Sequence, residues 1–98
     1  MGQVRWSHEA ESWLQEIYDY IALDNPLAAV RTVQGIVEKA ETLPRFPERG
    51  YRYNAKPERH IRILLYGHYR IAYLVNQDGD IDILGVFHGS LDIDRYLA

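Results

Sequence analysis

The chain has 98 residues, a formal net charge of −3 and no cysteine, and we expect one domain over residues 1–98. The absence of cysteine excludes disulfides, thiolate metal sites and a cysteine nucleophile. No apolar run approaches the ~18 residues of a membrane helix and the N-terminus lacks a signal peptide, so we expect a cytoplasmic protein without membrane contact.

Two amphipathic helices are predicted in the N-terminal half. Val4–Trp6 is a short β-prone run that fits an edge strand. Apolar residues then recur at helical spacing over Ser7–Leu23, which begins with a good N-cap residue. They recur again over Pro26–Leu43, where Asn25 can act as the cap and the proline suits the first turn. Because the link between them is tight, we expect an antiparallel helical hairpin.

Residues 44–70 form a basic segment in an otherwise acidic chain. They hold seven basic and two acidic side chains, a net charge of +5, whereas the other 71 residues hold four basic and twelve acidic ones. Such a patch attracts an anionic partner, either nucleic acid or an acidic protein segment. The alternative is a solvated loop whose charges pair with the acidic helices. The seven cations are Arg45, Arg49, Arg52, Lys56, Arg59, Arg62 and Arg70.

Apolar residues alternate with a period of two between Arg59 and Asp92, which predicts an antiparallel β-meander. Its first turn falls at residues 66–68 and its second at residues 76–79, where Asp-Gly favours a tight hairpin. Alternation along the last strand predicts one face with Ile81, Ile83 and Gly85, and the other with Asp82, Leu84 and Val86.

Two shorter elements complete the predicted domain. Tyr51 and Tyr53 could form a short strand, and Ser90 is expected to cap a terminal helix from Asp92 to Leu97. The order β-α-α-β-β-β-α then defines an α+β fold, in which the N-terminal helical hairpin packs on the antiparallel β-meander.

Arg70 and His88 are the polar side chains of the meander that matter most for function. Arg70 alternates out of phase with the apolar face, so it faces solvent, pairs with Asp82 or contacts a partner. His88 could act as a catalytic acid, or could be bonded to Asp92 without any chemistry. The four histidines lack metal-ligand spacing, and no phosphate-binding loop is recognisable, so we expect no metal and no cofactor.

The order of elements and several short segments resemble the RelE/ParE superfamily of toxins from bacterial type II toxin–antitoxin systems. The resemblance covers nearly all of the chain, and its ending is most similar to the ParE branch, which often closes on a valine-x-histidine-glycine run followed by an aspartate. The segments that carry it are Tyr18 and Ile21, Asn25-Pro26 with Ala28-Ala29, Leu43-Pro44 with Pro47 and Gly50, residues 69–73 (YRIAY), and residues 83–93 (ILGVFHGSLDI).

The two branches of this superfamily imply different activities. RelE-like members cut messenger RNA on the ribosome, whereas ParE-like members inhibit DNA gyrase by binding. The resemblance places Ile61 and Ile63 where RelE has two lysines, and places Gly89 and Arg95 where RelE has an arginine and a tyrosine. Only Arg70 matches the RelE set, so the resemblance implies a ParE-like toxin of the plasmid-stabilisation type that is not an enzyme.

Two alternatives remain open at this stage. One is a ribosome-dependent endoribonuclease of messenger RNA, with His88 as acid, Arg70 or Arg62 as phosphate clamp, and Glu48 or Glu58 as base. The other is a degenerate member of the superfamily with weak toxicity.

The resemblance also implies a cognate antitoxin, in a hetero-oligomer with the toxin, and a free chain that could form a homodimer. We expect apolar antitoxin side chains on the helical hairpin and acidic ones near the basic segment. The expected groove residues are Trp13, Ile17, Tyr18, Val30, Val33 and Val37. The expected polar contacts to target or antitoxin are Arg45, Arg49, Arg52, Arg59, Arg62, Arg70, His88 and Asp92.

Overall fold

The fold, taken from a computed structural model that describes residues 2–97, is a helical hairpin packed on a β-sheet. This confirms the predicted α+β class. The elements are β1 (Val4–Trp6), α1 (His8–Ala22), α2 (Pro26–Glu41), β2 (Tyr51–Arg52), β3 (Ile61–Tyr66), β4 (Tyr69–Val75) and β5 (Ile81–His88), with 3-10 turns at Pro57–Arg59 and Ile93–Arg95.

Both helices begin at the caps that the sequence predicts. The Ser7 hydroxyl accepts a hydrogen bond from the Ala10 N–H at 3.0 Å, and the Asn25 side chain accepts one from Ala28 N–H at 3.0 Å. Each bond satisfies a backbone donor that has no partner inside the helix. Neither α1 nor α2, within residues 2–97, is long and apolar enough to cross a membrane.

The sheet has five strands in the order β1-β5-β4-β3-β2. The predicted meander is confirmed for β3, β4 and β5, which are antiparallel neighbours. The sheet as a whole is mixed, because β1 runs parallel to β5 after the helical hairpin carries the chain across one face. Arg5 on β1 forms ion pairs with Asp80, just before β5, at 3.0 Å and with Asp82, in β5, at 2.9 Å, which adds side-chain contacts between these two strands.

Both faces of the sheet are covered. The face toward the helices, here called the helix face, buries Leu64, Ile71, Tyr73, Ile81, Ile83 and Val86 together with the inner side chains of α1 and α2. The opposite face, here called the far face, buries Ile61, Ile63, Ala72 and Phe87. Tyr53 and the C-terminal segment, residues 89–97, cover the far face with Ile93 and Leu97. The sequence predicted the helical layer and missed this second cover.

The predicted alternation along β5 is wrong beyond Ile83. The pairing with β4 passes from Tyr73↔Ile83 to Ala72↔Gly85, so Leu84 is an additional residue in the strand. A β-bulge of this kind shifts the side chains that follow it to the opposite face. Val86 therefore shares the helix face with Ile83, contrary to the prediction.

The predicted terminal helix is also wrong in length. Only a single 3-10 turn, Ile93–Arg95, forms after Asp92, and Ser90 does not cap it. The Ser90 hydroxyl lies 2.8 Å from His88 Nδ1 instead. Burial of Ile93 and Leu97 on the far face, rather than helix propensity, sets the path of this short segment.

Candidate interaction surfaces

The helical hairpin presents two grooves, one on each side of α1. The first lies between α1 and α2, has a volume of about 340 Å³ and is lined by Leu14, Tyr18 and Val33 between the polar side chains of Glu11 and Gln15. Its open shape and apolar floor fit the side chains of a partner helix or strand.

The second groove lies between α1 and the end of β5. It has a volume of about 410 Å³ and its walls come from Trp13, Glu16, Ile17, Tyr20, Tyr69, Val86, His88, Ser90 and Leu91. Within the described residues, β1 pairs only with Ile81–Ile83, so the outer edge of β5 beyond Ile83 has no strand neighbour. An apolar groove beside an unpaired strand edge can take an extended peptide as an additional strand.

The structure divides the six predicted groove residues among different surfaces. Tyr18 and Val33 line the first groove, whereas Trp13 and Ile17 line the second. Ile17 is also part of the hydrophobic core, so little of it is available to a partner. Val30 is exposed at the tip of the hairpin and Val37 is half-buried on α2.

Three large apolar side chains at the hairpin tip were missed by the sequence analysis. Tyr20 is 77% exposed, Leu23 82% and Leu27 59%. Their spacing continues the apolar stripe of each helix, which from sequence alone is indistinguishable from a buried stripe. Exposed apolar side chains of this size, close together in sequence where α1 turns into α2, make the hairpin tip a candidate interaction surface.

Arg70 lies on the far face and holds the C-terminal segment to the sheet. Its Nη2 donates to the carbonyl oxygen of Leu91 at 2.6 Å and to that of Gly89 at 3.3 Å, while its Nε is buried without a partner among the described residues. The predicted pairing with Asp82 is wrong, because Asp82 lies opposite Leu74 in the ladder, four residues further along β4.

The carboxylate of Asp82 binds other partners. The Asn76 amide and the Arg5 guanidinium each donate to it at 2.9 Å. These hydrogen bonds, with the Arg5 charge, lower the pKa of Asp82, so the carboxylate stays ionised as a structural acceptor at the β1–β5 edge.

Tyr53 also ties the C-terminal segment to the far face. Its ring is buried and its hydroxyl is hydrogen-bonded to the Asp94 carboxylate. Burial, the hydrogen bond to Asp94 and the negative charge of Asp94 raise the pKa of Tyr53 to about 12. The phenol therefore remains protonated at neutral pH and acts as a donor.

His88 is hydrogen-bonded to Ser90. The alternative prediction, a bond between His88 and Asp92, is wrong. The Nδ1 of His88 accepts a hydrogen bond from the Ser90 N–H at 3.1 Å. The neutral ring must then carry its proton on Nε2. The ring packs edge-on against Tyr69, with 5.6 Å between centroids, and lies 6.2 Å from the ring of His68.

The residues proposed for RNA cleavage do not all converge, although Arg70 and His88 both border one open pocket of about 400 Å³ at the β3–β4 turn. Arg70 is paired with Phe87 in the ladder and His88 with Tyr69, so the two side chains leave the sheet on opposite faces. Arg62 lies opposite Tyr73, four residues and about 13 Å along the strand from Tyr69.

The two proposed bases also lie apart from His88. Glu48 approaches Arg62 at 3.7 Å, and Glu58 is exposed in the 3-10 turn Pro57–Arg59. Among residues 2–97 no group of three or more histidine, aspartate or glutamate side chains could hold a metal ion either.

Six of the seven cations of the basic segment fall into two groups, and the seventh, Lys56, is half-buried. Arg59, Arg62 and Arg70 turn inward and donate to backbone carbonyls, for example Arg62 to Gly50 at 2.6 Å and Arg59 to Leu97 at 3.2 Å. Arg45, Arg49 and Arg52 are exposed, as is Asp92, and no carboxylate of residues 2–97 lies within ion-pair distance of these three arginines. Among the described residues, these three arginines therefore do not pair with the acidic helices.

Comparison with known proteins gives matches over most of the chain. The family described as "ParE toxin of type II toxin-antitoxin system, parDE" matches residues 4–93. Toxin RelE2 of Caulobacter vibrioides is 33% identical over 90 residues, which are 92% of this chain and 98% of that relative.

Two solved structures share the fold. The chromosomal ParDE toxin–antitoxin system from P. aeruginosa matches with a TM-score of 0.74 and 26% identity, covering 90% of this chain and 96% of that one. The toxin–antitoxin complex RelBE2 from Mycobacterium tuberculosis matches with a TM-score of 0.67 and 22% identity, covering 89% and 96%.

Proposed function

This chain belongs to the family of ParE toxins of type II toxin–antitoxin systems, and we propose that it acts by binding, with DNA gyrase as its target. The observation that carries the proposal is the filled far face of the sheet. Ile61 and Ile63, where a RelE-type nuclease has lysines, are buried beneath the C-terminal segment. A cation at either position would be desolvated without a partner, so this face does not suit phosphate chemistry.

The distances between polar groups support the same proposal. Cleavage of RNA by its own 2′-hydroxyl needs a base, an acid and a cation around one phosphate. Arg70 and His88 leave the sheet on opposite faces and both border one open pocket, but no glutamate of residues 2–97 lines that pocket. The glutamate that approaches Arg62 lies at the other edge of the sheet from His88. Inhibition by binding does not require a base, an acid and a cation to lie around one phosphate.

We expect the purified chain to block negative supercoiling by DNA gyrase and to leave ribosome-bound messenger RNA intact. Supercoiling is measured by gel mobility of a plasmid, and cleavage by primer extension on a translated message. His88→Ala is the matched variant, because a nuclease that uses this imidazole would lose its cleavage. Site-specific cutting by the purified chain that disappears in His88→Ala would replace gyrase inhibition with the ribosome-dependent alternative.

We further propose that a cognate antitoxin occupies the surfaces around α1. The groove between the helices, the groove beside β5 and the exposed hairpin tip form adjoining apolar areas on one helix. A segment that crosses α1 can place apolar side chains in both grooves and add backbone hydrogen bonds at the open edge of β5. The two solved structures with this fold come from toxin–antitoxin systems, which agrees with such a partner.

Tyr20→Ala is expected to weaken antitoxin binding by about 30-fold, the range of an interface hot spot, without destabilising the fold. The reason is that Tyr20 is exposed, borders the groove beside β5 and adjoins the hairpin tip. Affinity is measured by calorimetry with the antitoxin encoded beside this gene. Leu65→Ala, an exposed apolar position on the far face, is the control. Equal effects of the two substitutions would remove the hairpin from the antitoxin interface.

A further inference from the structure

The chain between α2 and the 3-10 turn at Pro57 follows the outer edge of the sheet. Its two tight turns are closed by the hydrogen bonds Phe46 N–H to Leu43 C=O at 3.1 Å and Arg49 N–H to Phe46 C=O at 3.0 Å. β2 then pairs with β3 on one side only, since it is the last strand of the sheet. This run, residues 45–52, is here called the basic strip.

The basic strip exposes two aromatic rings. Phe46 is 57% exposed and Tyr51 50%, whereas Tyr53, two residues further, is buried on the far face. Phe46 also borders an open groove of about 570 Å³ that Pro47, Glu48 and Arg49 complete. Nothing in the described structure packs these rings into the core, so their flat faces are available to a ligand.

Arg49 lies between these two rings in the sequence, and Arg45 and Arg52 flank them. Arg45, Arg49 and Arg52 are exposed at steps of four and three residues along the strip. Arg52 is paired with Arg62 in the ladder, so it leaves β2 on the face opposite Tyr51, and a ligand that contacts both must cross the edge of the sheet. Arg49 donates to the Thr42 hydroxyl at 3.0 Å and Arg52 to the Pro57 carbonyl at 3.3 Å, and both guanidinium groups keep further donors for a ligand. The one acidic side chain of the strip, Glu48, lies 3.7 Å from Arg62, which offsets its charge, and it is largely exposed beside the groove.

We infer that the basic strip binds single-stranded nucleic acid. Guanidinium groups would hold successive phosphates, and unstacked bases would lie on Phe46 and Tyr51. An acidic peptide would use the cations and leave both rings without a role. The rest of the chain is acidic, which confines binding to this strip and makes it strongly dependent on salt. The inference goes beyond the proposed function, because it applies whether the toxin acts on DNA gyrase or on the ribosome.

Fluorescence polarisation with labelled oligothymidylate and oligouridylate of about 12 nucleotides tests the inference on the full chain. Three phosphate contacts predict a logarithmic salt slope of about −2, so affinity should fall about 20-fold between about 50 and 200 mM salt. Phe46→Ala and Tyr51→Ala should each weaken binding at least about fivefold. Phe46→Leu should weaken it similarly, because it keeps the apolar bulk and removes the aromatic face.

Two controls separate the strip from the rest of the surface. Arg49→Gln should lower both the affinity and the salt slope, while Arg95→Gln, an exposed cation of the C-terminal segment, should change neither. Absence of binding at about 50 mM salt would overturn the inference. The inference would also be overturned if an oligoglutamate peptide bound as tightly as the oligonucleotides and if Phe46→Ala and Tyr51→Ala left that binding unchanged. That result would assign the strip to an acidic antitoxin segment. The gyrase supercoiling assay tests the proposed function independently of these binding measurements.

Discussion

Replacement of Phe87 by alanine is expected to lower the free energy of unfolding by about 3–5 kcal/mol. Phe87 is buried on the far face, where its ring lies 4.8 Å from that of Trp13 and 5.8 Å from that of Tyr96. It thereby joins α1, the sheet and the C-terminal segment. Alanine would leave a cavity at the meeting point of all three, and the surrounding backbone could close it only partly.

Urea denaturation followed by tryptophan fluorescence measures this change, because Trp13 packs directly on the ring. Leu65→Ala is the matched control: it lies in β3 and is 56% exposed, so we expect less than about 0.5 kcal/mol. Since a domain of this size has only about 5–15 kcal/mol of stability, Phe87→Ala should also raise its susceptibility to proteolysis. A loss below about 1 kcal/mol would show that the far face is not a packed core.

Replacement of Tyr73 by phenylalanine is expected to destabilise the fold by about 2–4 kcal/mol, although it removes a single oxygen. The hydroxyl of Tyr73 accepts a hydrogen bond from Gly50 N–H at 2.9 Å and donates one to the Pro47 carbonyl at 2.8 Å. Burial raises the pKa of Tyr73, which keeps the phenol protonated as the donor. Phenylalanine would leave both backbone groups without this partner next to the core.

Tyr69→Phe is the matched control for this substitution. Tyr69 lies on the same face of β4, and the backbone hydrogen bonds to Gly50 and Pro47 belong to Tyr73 and not to Tyr69. We expect a change below about 0.5 kcal/mol in its thermal or urea unfolding. Similar losses in the two variants would mean that the Pro47–Gly50 turn is not held by Tyr73. Because that turn carries Arg49, tests of the basic strip should leave Tyr73 intact.

Local patterns in the sequence predicted the fold class correctly. The period of 3.6 over α1 and α2, with the caps Ser7 and Asn25, is set by residues within one turn of each other. The period of two over β3, β4 and β5 is equally local, and the tight turns between these strands leave no alternative pairing. The resemblance to the RelE/ParE superfamily rested on the same ordered segments and is confirmed by the comparisons.

Contacts between distant parts of the chain decided the candidate surfaces. One bulged residue at Leu84 moved Val86 to the other face, and the C-terminal segment buried Ile61 and Ile63 from nearly thirty residues away. No periodicity encodes either event, because a bulge breaks the alternation and a short irregular segment has none.

The sequence by itself therefore determined a toxin-like α+β scaffold and the basic character of residues 44–70. The tertiary structure alone decided that Arg70 and His88 leave the sheet on opposite faces. It also decided that Arg62 donates hydrogen bonds to backbone carbonyls, whereas Arg45, Arg49 and Arg52 are exposed to solvent. The reason is physical: charge and propensity belong to a residue, whereas the direction of a side chain and its partners depend on which distant backbone groups reach it.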